Sequence, residues 1–320
     1  MKLGILSRNP DLYSTRRLVQ AARLRGHQVM VMDTMSIALE MGLPHSPVKI
    51  VSADASPRTF GTYTNAIARV PDVEAIIPRI GASITEYGVA VVRHFETQGI
   101  FCTATSQAIA QSRDKLHSLQ LMSQAGLPIP KTAVIAQPSA FFTAIEAVGG
   151  PPVIIKLVQG TQGKGVILAP NLQTAAYVLN KLRGMKRQAL VQEFIAEARG
   201  RDIRIIVVGD QCVAAMERRA SAGDFRSNLH LGGTAVPVTP TQELQQLARA
   251  AARAHGLHVA GVDILQSQRG PLLLEVNSSP GLEGIEETTN VDIATAIINF
   301  VEQHVSRKKR KRPPKRKQHK

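Results

Sequence analysis

The sequence predicts an α/β opening followed by a larger α+β region rich in antiparallel hairpins, and three observations carry that class. MKLGILS, STRRLVQAARLRG and HQVMVMD read as strand, helix and strand, the helix running from Ser14 as its cap to Gly26 as its stop. GVDILQSQRGPLLLEVN reads as two apolar strands around the polar turn Gln268-Arg269-Gly270-Pro271, a hairpin signal. Helical patterns over 139–148, 172–183 and 242–255 interleave with strand patterns over 153–159, 165–169, 189–193, 203–208, 212–218, 258–265 and 272–276, with no internal repeat.

The βαβ opening lacks the G-x-G-x-x-G turn of dinucleotide binders. Residues 44–65 are polar and proline-containing, a loop with short strands. VEAIIPRIG is a further strand with Arg79 and Gly81 at its carboxyl end, where open α/β sheets bind ligands, so Arg79 is a candidate for holding a substrate carboxylate. A helix around Ser112–Ala125 carries Asp114 and Lys115, and GLPIPKTAVIA marks a linker into a second lobe.

Composition bounds the functions open to this chain. Its 320 residues are 44% hydrophobic, enough for two or three packed lobes, and with no Trp and 4% aromatic residues the core must be aliphatic. Cys102 and Cys212 have no metal or redox spacing around them, which argues against a disulfide scaffold and for a reducing cytosol. LGIL is too short for a signal peptide and no apolar run approaches the roughly 18 residues a membrane span needs, so a cytoplasmic protein without membrane contact is expected. Ten of the basic residues lie in Arg307–Lys320, which holds no acid; the rest of the chain has 29 basic against 24 acidic residues. That segment is expected to be a disordered tail suited to nonspecific RNA contact through phosphates.

Several stretches carry chemistry. Glu275 and Asn277, spaced i, i+2, share one strand face. A carboxylate sunk among Leu272, Leu273 and Leu274 needs a positive partner. Folding the hairpin about Arg269 sets Asp263 opposite Glu275, where like charges repel unless a divalent cation lies between them; Asp, Glu and Asn oxygens suit magnesium or manganese. The bland alternative is a strand-end carboxylate facing solvent. PPVIIKLVQGTQGKGVILA places Lys156 on a strand before a glycine loop, Gly160–Gly165, which fits a flap over a nucleotide as well as an ordinary glycine-rich hairpin. In LVQEFI, Glu193 and Phe194 stand where a strand passes into a hinge, with Phe194 as an apolar wall. Asp202 and Arg204 share a strand face and read either as a structural salt bridge or as site residues, Arg204 being the second carboxylate candidate. FRSNLHLGG offers Arg226 to neutralise a transferring phosphoryl group, with Ser227 and Asn228 beside it.

Together, in this order, these pieces resemble the ATP-grasp superfamily from about residue 112 to 300. At finer grain PRIG, KLVQGTQGKGV, RSNLHLGG, GVDIL and EVNSSPGLEGIE resemble the RimK family, and LSRNPDLYSTRRL extends the likeness to the N-terminus. The resemblance implies an ATP-grasp fold: a Rossmann-like pre-ATP-grasp domain over 1–111, an ATP-grasp domain over 112–305 in two lobes divided near 188, and the tail over 306–320. RimK enzymes use ATP to add L-glutamate to the C-terminus of the sixth protein of the small ribosomal subunit. The implied activity is thus an ADP-forming carboxylate–amine ligase working through an acyl phosphate, with ATP, L-glutamate and that ribosomal protein as partners, and a homo-oligomeric state. The resemblance also implies that Asp263, Glu275 and Asn277 hold two magnesium or manganese ions. Lys156 then contacts the ATP phosphates with Lys115 as a second cation, Glu193 and Phe194 border the adenine, and Asp202 with Arg226, Ser227 and Asn228 completes the nucleotide site, Arg226 acting in catalysis. Two features depart from the family pattern: the basic tail, and Lys164 in the flap, where a smaller or aliphatic residue is expected. The competing readings are an ATP-grasp ligase for a small-molecule or carrier-protein acceptor, and a noncatalytic ATP-binding module on the ribosome.

Overall fold

The computed structural model describes residues 1–39, 41, 50–53, 67–69, 72–157, 166–182, 188–221, 225 and 232–311. The opening is β1 (Lys2–Leu6), α1 (Tyr13–Leu24) and β2 (Gln28–Met32), followed by β3 (Ile37–Leu39), β4 (Ile50–Ala53), β5 (Ile67–Arg69), β6 (Ala75–Pro78), α2 (Thr85–Thr97) and β7 (Phe101–Cys102). β2, β1, β6 and β7 form one parallel sheet in that order, and β3, β4 and β5 a small antiparallel one. Gly26, at φ +76°, ends the turn after α1 as expected. Ser14 does not cap the helix: α1 starts one residue earlier with no side-chain cap, and the Ser14 hydroxyl accepts from the Leu282 amide at 3.0 Å. A serine read as a local signal holds a contact 268 residues away.

The helix expected around 112–125 is two helices, α3 (Ser106–Arg113) and α4 (Lys115–Gln124). Asp114 leaves helical geometry between them, and its carboxylate accepts from the Leu116 and His117 amides at 2.9 and 3.0 Å. The break is therefore an Asp N-cap, and it sets Lys115 at the start of α4. The linker segment contains β8 (Thr132–Ile135), which joins β9 (Val153–Leu157), β10 (Val166–Ala169) and β11 (Ala189–Glu193) in an antiparallel sheet ordered β10-β9-β11-β8. Val153, Ile155, Ala189 and Val191 pack on α5 (Phe141–Ala147) and α6 (Leu172–Leu182). Strand alternation turns Lys156 to the other face.

The largest sheet is built from β12 (Arg201–Val208), β13 (Gln211–Arg219), β14 (Thr234–Pro237), β15 (Val259–Ser267) and β16 (Gly270–Asn277), ordered β14-β13-β12-β15-β16 and wholly antiparallel. Ile203, Ile205, Val262, Ile264 and Leu273 bury one face against α7 (Gln242–Ala254). Ile206, Val208 and Met216 on the other face join Leu282 and Ile285 around α8 (Glu283–Thr289), the long α9 (Ile293–Lys311), and Leu3, Ile5 and Leu18 of the opening. α9 corrects the expectation of a tail from residue 306. With Val301 and Val305 buried, the helix runs on to Lys311 through residues of good helix propensity. Residues 312–320 lie outside the described residues. Among the described residues no helix is long and apolar enough to cross a membrane.

Candidate functional site

Of the residues singled out above, one face of the large sheet carries Asp202, Arg204, Asp263, Glu275 and Asn277. Antiparallel register sets Arg218 across from Asp202, Arg204 across from Asp263, and Asp263 across from Glu275, with Gly261 and Asn277 paired one step along. Side chains directly opposite share a face, so six functional residues lie in a band over four strands. The Asp263–Glu275 pairing was expected, yet its route was not. The hairpin turns between Gln268 and Arg269, Ser267 pairing with Gly270, and a bulge at Leu274 then shifts the register to bring Glu275 opposite Asp263.

The two carboxylates live in different surroundings. Asp263 is the buried one, 2% exposed, whereas Glu275 opens to solvent, which corrects the picture of Glu275 sunk among leucines. The positive partners of Asp263 come from the protein: Arg204 donates through Nε and Nη2, each at 2.7 Å, and Arg218 Nη2 lies 2.9 Å from Oδ2. Burial pushes the Asp263 carboxyl upward, but the two guanidiniums outweigh it and hold it below the ordinary carboxylate range. Arg218 also grips the buried Asp202 in a two-pronged pair. The expected i, i+2 bridge between Asp202 and Arg204 is thus corrected, because each finds its partner on the neighbouring strand. Arg204 is likewise corrected as a free carboxylate clamp: its fork closes on Asp263.

The donor set fits a hard divalent cation. A carboxylate offers about four lone-pair positions, and three hydrogen bonds reach Asp263, one at Oδ1 and two at Oδ2, leaving one position at Oδ1. Glu275 faces outward on the same face, and Asn277 makes only a long 3.5 Å contact from Nδ2 to the Gly261 carbonyl. Among the described residues no group of three or more His, Cys, Asp or Glu gathers, so further ligands to such an ion would be the Asn277 amide oxygen and non-protein oxygens.

Cations converge on this acidic edge. Lys156 Nζ donates to Gln192 Oε1 at 2.8 Å, and Gln192 Nε2 donates to Thr132 Oγ1 at 2.8 Å, a chain that fixes where the ammonium sits. Burial pulls Lys156 down to about 8; Glu275 acts against that and Lys115 adds to it, which places each of them within electrostatic reach of Lys156. Arg79, at the end of β6, donates from Nη2 to the Pro280 carbonyl at 2.8 Å, in the loop just beyond Asn277. That loop needs Gly261 beneath it, since a Cβ there would sit 2.8 Å from the Pro280 Cβ.

The hinge residues stand apart from the acidic band. The Glu193 carboxylate accepts from the Lys131 amide at 2.6 Å and pairs with Arg269 at the β15–β16 turn, while Phe194 meets Phe225 edge-on at 6.3 Å. The Glu193 and Phe194 amides donate to the Lys131 and Pro152 carbonyls, so a base at this hinge would be met by other backbone groups and the Phe194 ring. Arg226, Ser227 and Asn228, and Lys164 in the glycine loop, lie outside the described residues. Two side chains that the sequence did not single out also lie here: Arg218, paired with Asp202 and Asp263, and Arg113, which donates to the Ile80 carbonyl. Arg218 was hidden by a bulge and Arg113 by the helix break at Asp114.

Residues 112–301 match a family model described as the RimK-like ATP-grasp domain, and residues 1–109 match one described as the RimK PreATP-grasp domain. A probable alpha-L-glutamate ligase of Vibrio atlanticus (strain LGP32) is 50% identical over 304 residues, covering 95% of this chain and 96% of the relative. Probable alpha-L-glutamate ligase 2 of Shewanella sp. (strain W3-18-1) is 47% identical over 310 residues, covering 97% and 98%. Among solved structures, ATP-grasp ligase PsnB, complexed with a phosphomimetic variant of its minimal precursor, Mg and ADP, has a TM-score of 0.70 at 21% identity, covering 95% of this chain and 98% of that one. The RimK domain protein ATP-grasp from Sphaerobacter thermophilus DSM 20745 has a TM-score of 0.68 at 21% identity, with 94% and 100% covered.

Proposed function

The chain belongs to the RimK family of ATP-dependent, ADP-forming carboxylate–amine ligases, and from that premise we propose that it adds L-glutamate to the C-terminal carboxylate of a small-subunit ribosomal protein through an acyl phosphate. The observation that supports the chemistry best is the opposed pair Asp263 and Glu275, with Asn277 on the same face and Lys156 within electrostatic reach. Glutamate as the amine follows the names of the relatives at about half identity. ATP and magnesium follow the family and a structural neighbour solved with Mg and ADP.

An oxygen of the acceptor carboxylate attacks the γ-phosphorus, the bond to the β-phosphate oxygen breaks, and ADP leaves. The glutamate nitrogen then attacks the acyl carbon, the carbon–oxygen bond to phosphate breaks, and the amide forms with loss of phosphate and of the amine proton. Asp263, Glu275 and Asn277 would hold two magnesium or manganese ions, which would supply charge neutralisation on the phosphates. Arg204 and Arg218 keep Asp263 ionised and oriented. Lys156, steadied by Gln192, meets the phosphate oxygens with Lys115 beside it, and Arg226, Ser227 and Asn228 complete the phosphate contacts. Glu193, Phe194 and Asp202 border the rest of the nucleotide. These groups position and stabilise charge, and no protein nucleophile takes part. ATP, free glutamate and ribosomal proteins share the cytoplasm, which is where the proposal places the protein.

The test is incubation with ATP, magnesium, labelled glutamate and a peptide ending in the acceptor C-terminus. ADP and peptide-bound label should form in equal amounts, and a peptide blocked as its C-terminal amide should give neither. Label transfer to a small carboxylate but not to the peptide would favour the small-molecule ligase reading, and nucleotide binding without turnover the noncatalytic one.

A further inference from the structure

Arg79 and Arg113 approach one spot from two elements. Arg79 leaves the end of β6 and bonds the Pro280 carbonyl, while Arg113, the last residue of α3, donates from Nη2 to the carbonyl of Ile80 at 2.7 Å. Ile80 follows Arg79 in the chain, and the two guanidiniums lie within electrostatic reach of each other near the loop after β16. Both are half-buried. Their situation differs from that of Arg204 and Arg218, whose forks close on carboxylates. Here each of these bonds goes to a neutral carbonyl, although a guanidinium carries five donors. Among the described residues, Arg113 Nε is buried with no hydrogen-bond partner, and so is Ser278 Oγ in the adjoining loop. A buried donor left unpaired is unfavourable, and so are two cations side by side. Burial pulls both arginines below their ordinary range, Arg79 to about 10 with Arg113 adding to the effect, although part of the Arg79 surface still reaches solvent. Glu275 is the carboxylate that pushes Arg113 back up, which ties the pair to the metal-holding edge. An arriving anion with oxygens in two places would relieve both defects.

We propose that Arg79 and Arg113 form a two-pronged clamp for the carboxylates of the incoming glutamate, and that Arg113 sets the preference for a dicarboxylic over a neutral amino acid. The clamp rests on the glutamate-ligase reading above. Lys156 and Lys115 serve the phosphates in that reading, which leaves the two arginines for the carboxylate substrates, and the amino acid brings two carboxylates to a two-pronged site. A planar fork matches a carboxylate with two parallel bonds, which a lysine cannot do.

The experiment titrates the full chain with a nonhydrolysable ATP analogue, and then with glutamate or glutamine while the analogue is bound. The unaltered protein should prefer glutamate. Arg113→Met should keep nucleotide affinity within about twofold, lose about 30-fold in glutamate affinity (about 2 kcal/mol), and narrow the gap to glutamine. Arg113→Lys guards against a variant that fails to fold, and should keep the charge yet recover only part of the affinity; Arg79→Met should behave as Arg113→Met does. Unchanged glutamate affinity in a folded Arg113→Met or Arg113→Lys protein overturns the clamp and leaves the ligase reading standing. No glutamate binding by the unaltered chain removes that reading and the clamp with it.

Discussion

Lys156→Met keeps the length and the apolar stem of the side chain and removes only the ammonium. Burial lowers Lys156 from 10.5 to about 8. That difference of roughly 2.5 units is on the order of 3 kcal/mol against carrying the charge in the folded protein. The sign comes from proton counts. Between pH 8 and 10.5 the unfolded chain still holds the lysine proton and the folded chain has released it, so parent stability rises with pH across that window; below pH 8 both states hold the proton and the penalty is constant. Methionine also deprives the buried Gln192 Oε1 of its 2.8 Å partner, which costs about 1–3 kcal/mol. At pH 7 the two effects oppose each other, and the variant should lie within about 2 kcal/mol of the parent. Toward pH 10.5 only the loss remains, and the parent should gain about 3 kcal/mol relative to the variant. Urea unfolding of both proteins at several pH values, without nucleotide, gives the difference directly, and groups common to both cancel. A difference that stays flat from pH 7 to 10 would refute the depressed lysine. Nucleotide binding to the parent at pH 8 should also draw in a proton, which calorimetry in buffers of different ionisation enthalpy detects.

Three further perturbations follow from the same geometry. Glu275→Ala should abolish ligation while leaving the urea midpoint nearly unchanged, because the side chain is exposed; ligation near the parent rate at saturating magnesium would remove Glu275 from the metal set. Arg218→Met strips charge from between Asp202 and Asp263, both buried, and should destabilise the fold by about 3–5 kcal/mol; a loss under 1 kcal/mol in denaturant unfolding would show that the ladder is not structural. Removing residues 312–320 should leave ligation of a short acceptor peptide within about twofold, and a truncated protein that binds ATP but cannot ligate would place that segment in the site.

Much of the acidic band was legible because strand alternation and hairpin counting are geometric rules. They put Glu275 and Asn277 on one face and Asp263 opposite. Where bulges intervene, counting alone misleads. From the Gly209–Asp210 turn, Asp202 should face Glu217, but an extra residue at Val213 brings Arg218 there instead. That one residue turns a repulsive pair into the ion pair that orders the site, and no local signal announces it. The roles of Arg204 and Ser14 were hidden for a related reason: their partners, Asp263 and Leu282, are 59 and 268 residues away. Asp114 could have been read correctly, since an Asp before a polar first turn is an N-cap signal, but a continuous helical pattern masked it. Motif order carried the likeness that spacing alone could not, and the family comparison bears that likeness out.

In the proposed reaction an acceptor carboxylate is phosphorylated by ATP and then captured by glutamate. An acceptor peptide labelled with oxygen-18 in its terminal carboxylate tests it most directly, with released phosphate and product analysed by mass spectrometry. An acyl phosphate requires one labelled oxygen to appear in each phosphate released, in step with glutamate addition. Phosphate free of label alongside full ligation would mean that the carboxylate never attacked the γ-phosphorus, and the mechanism built on Asp263, Glu275 and Lys156 would be wrong.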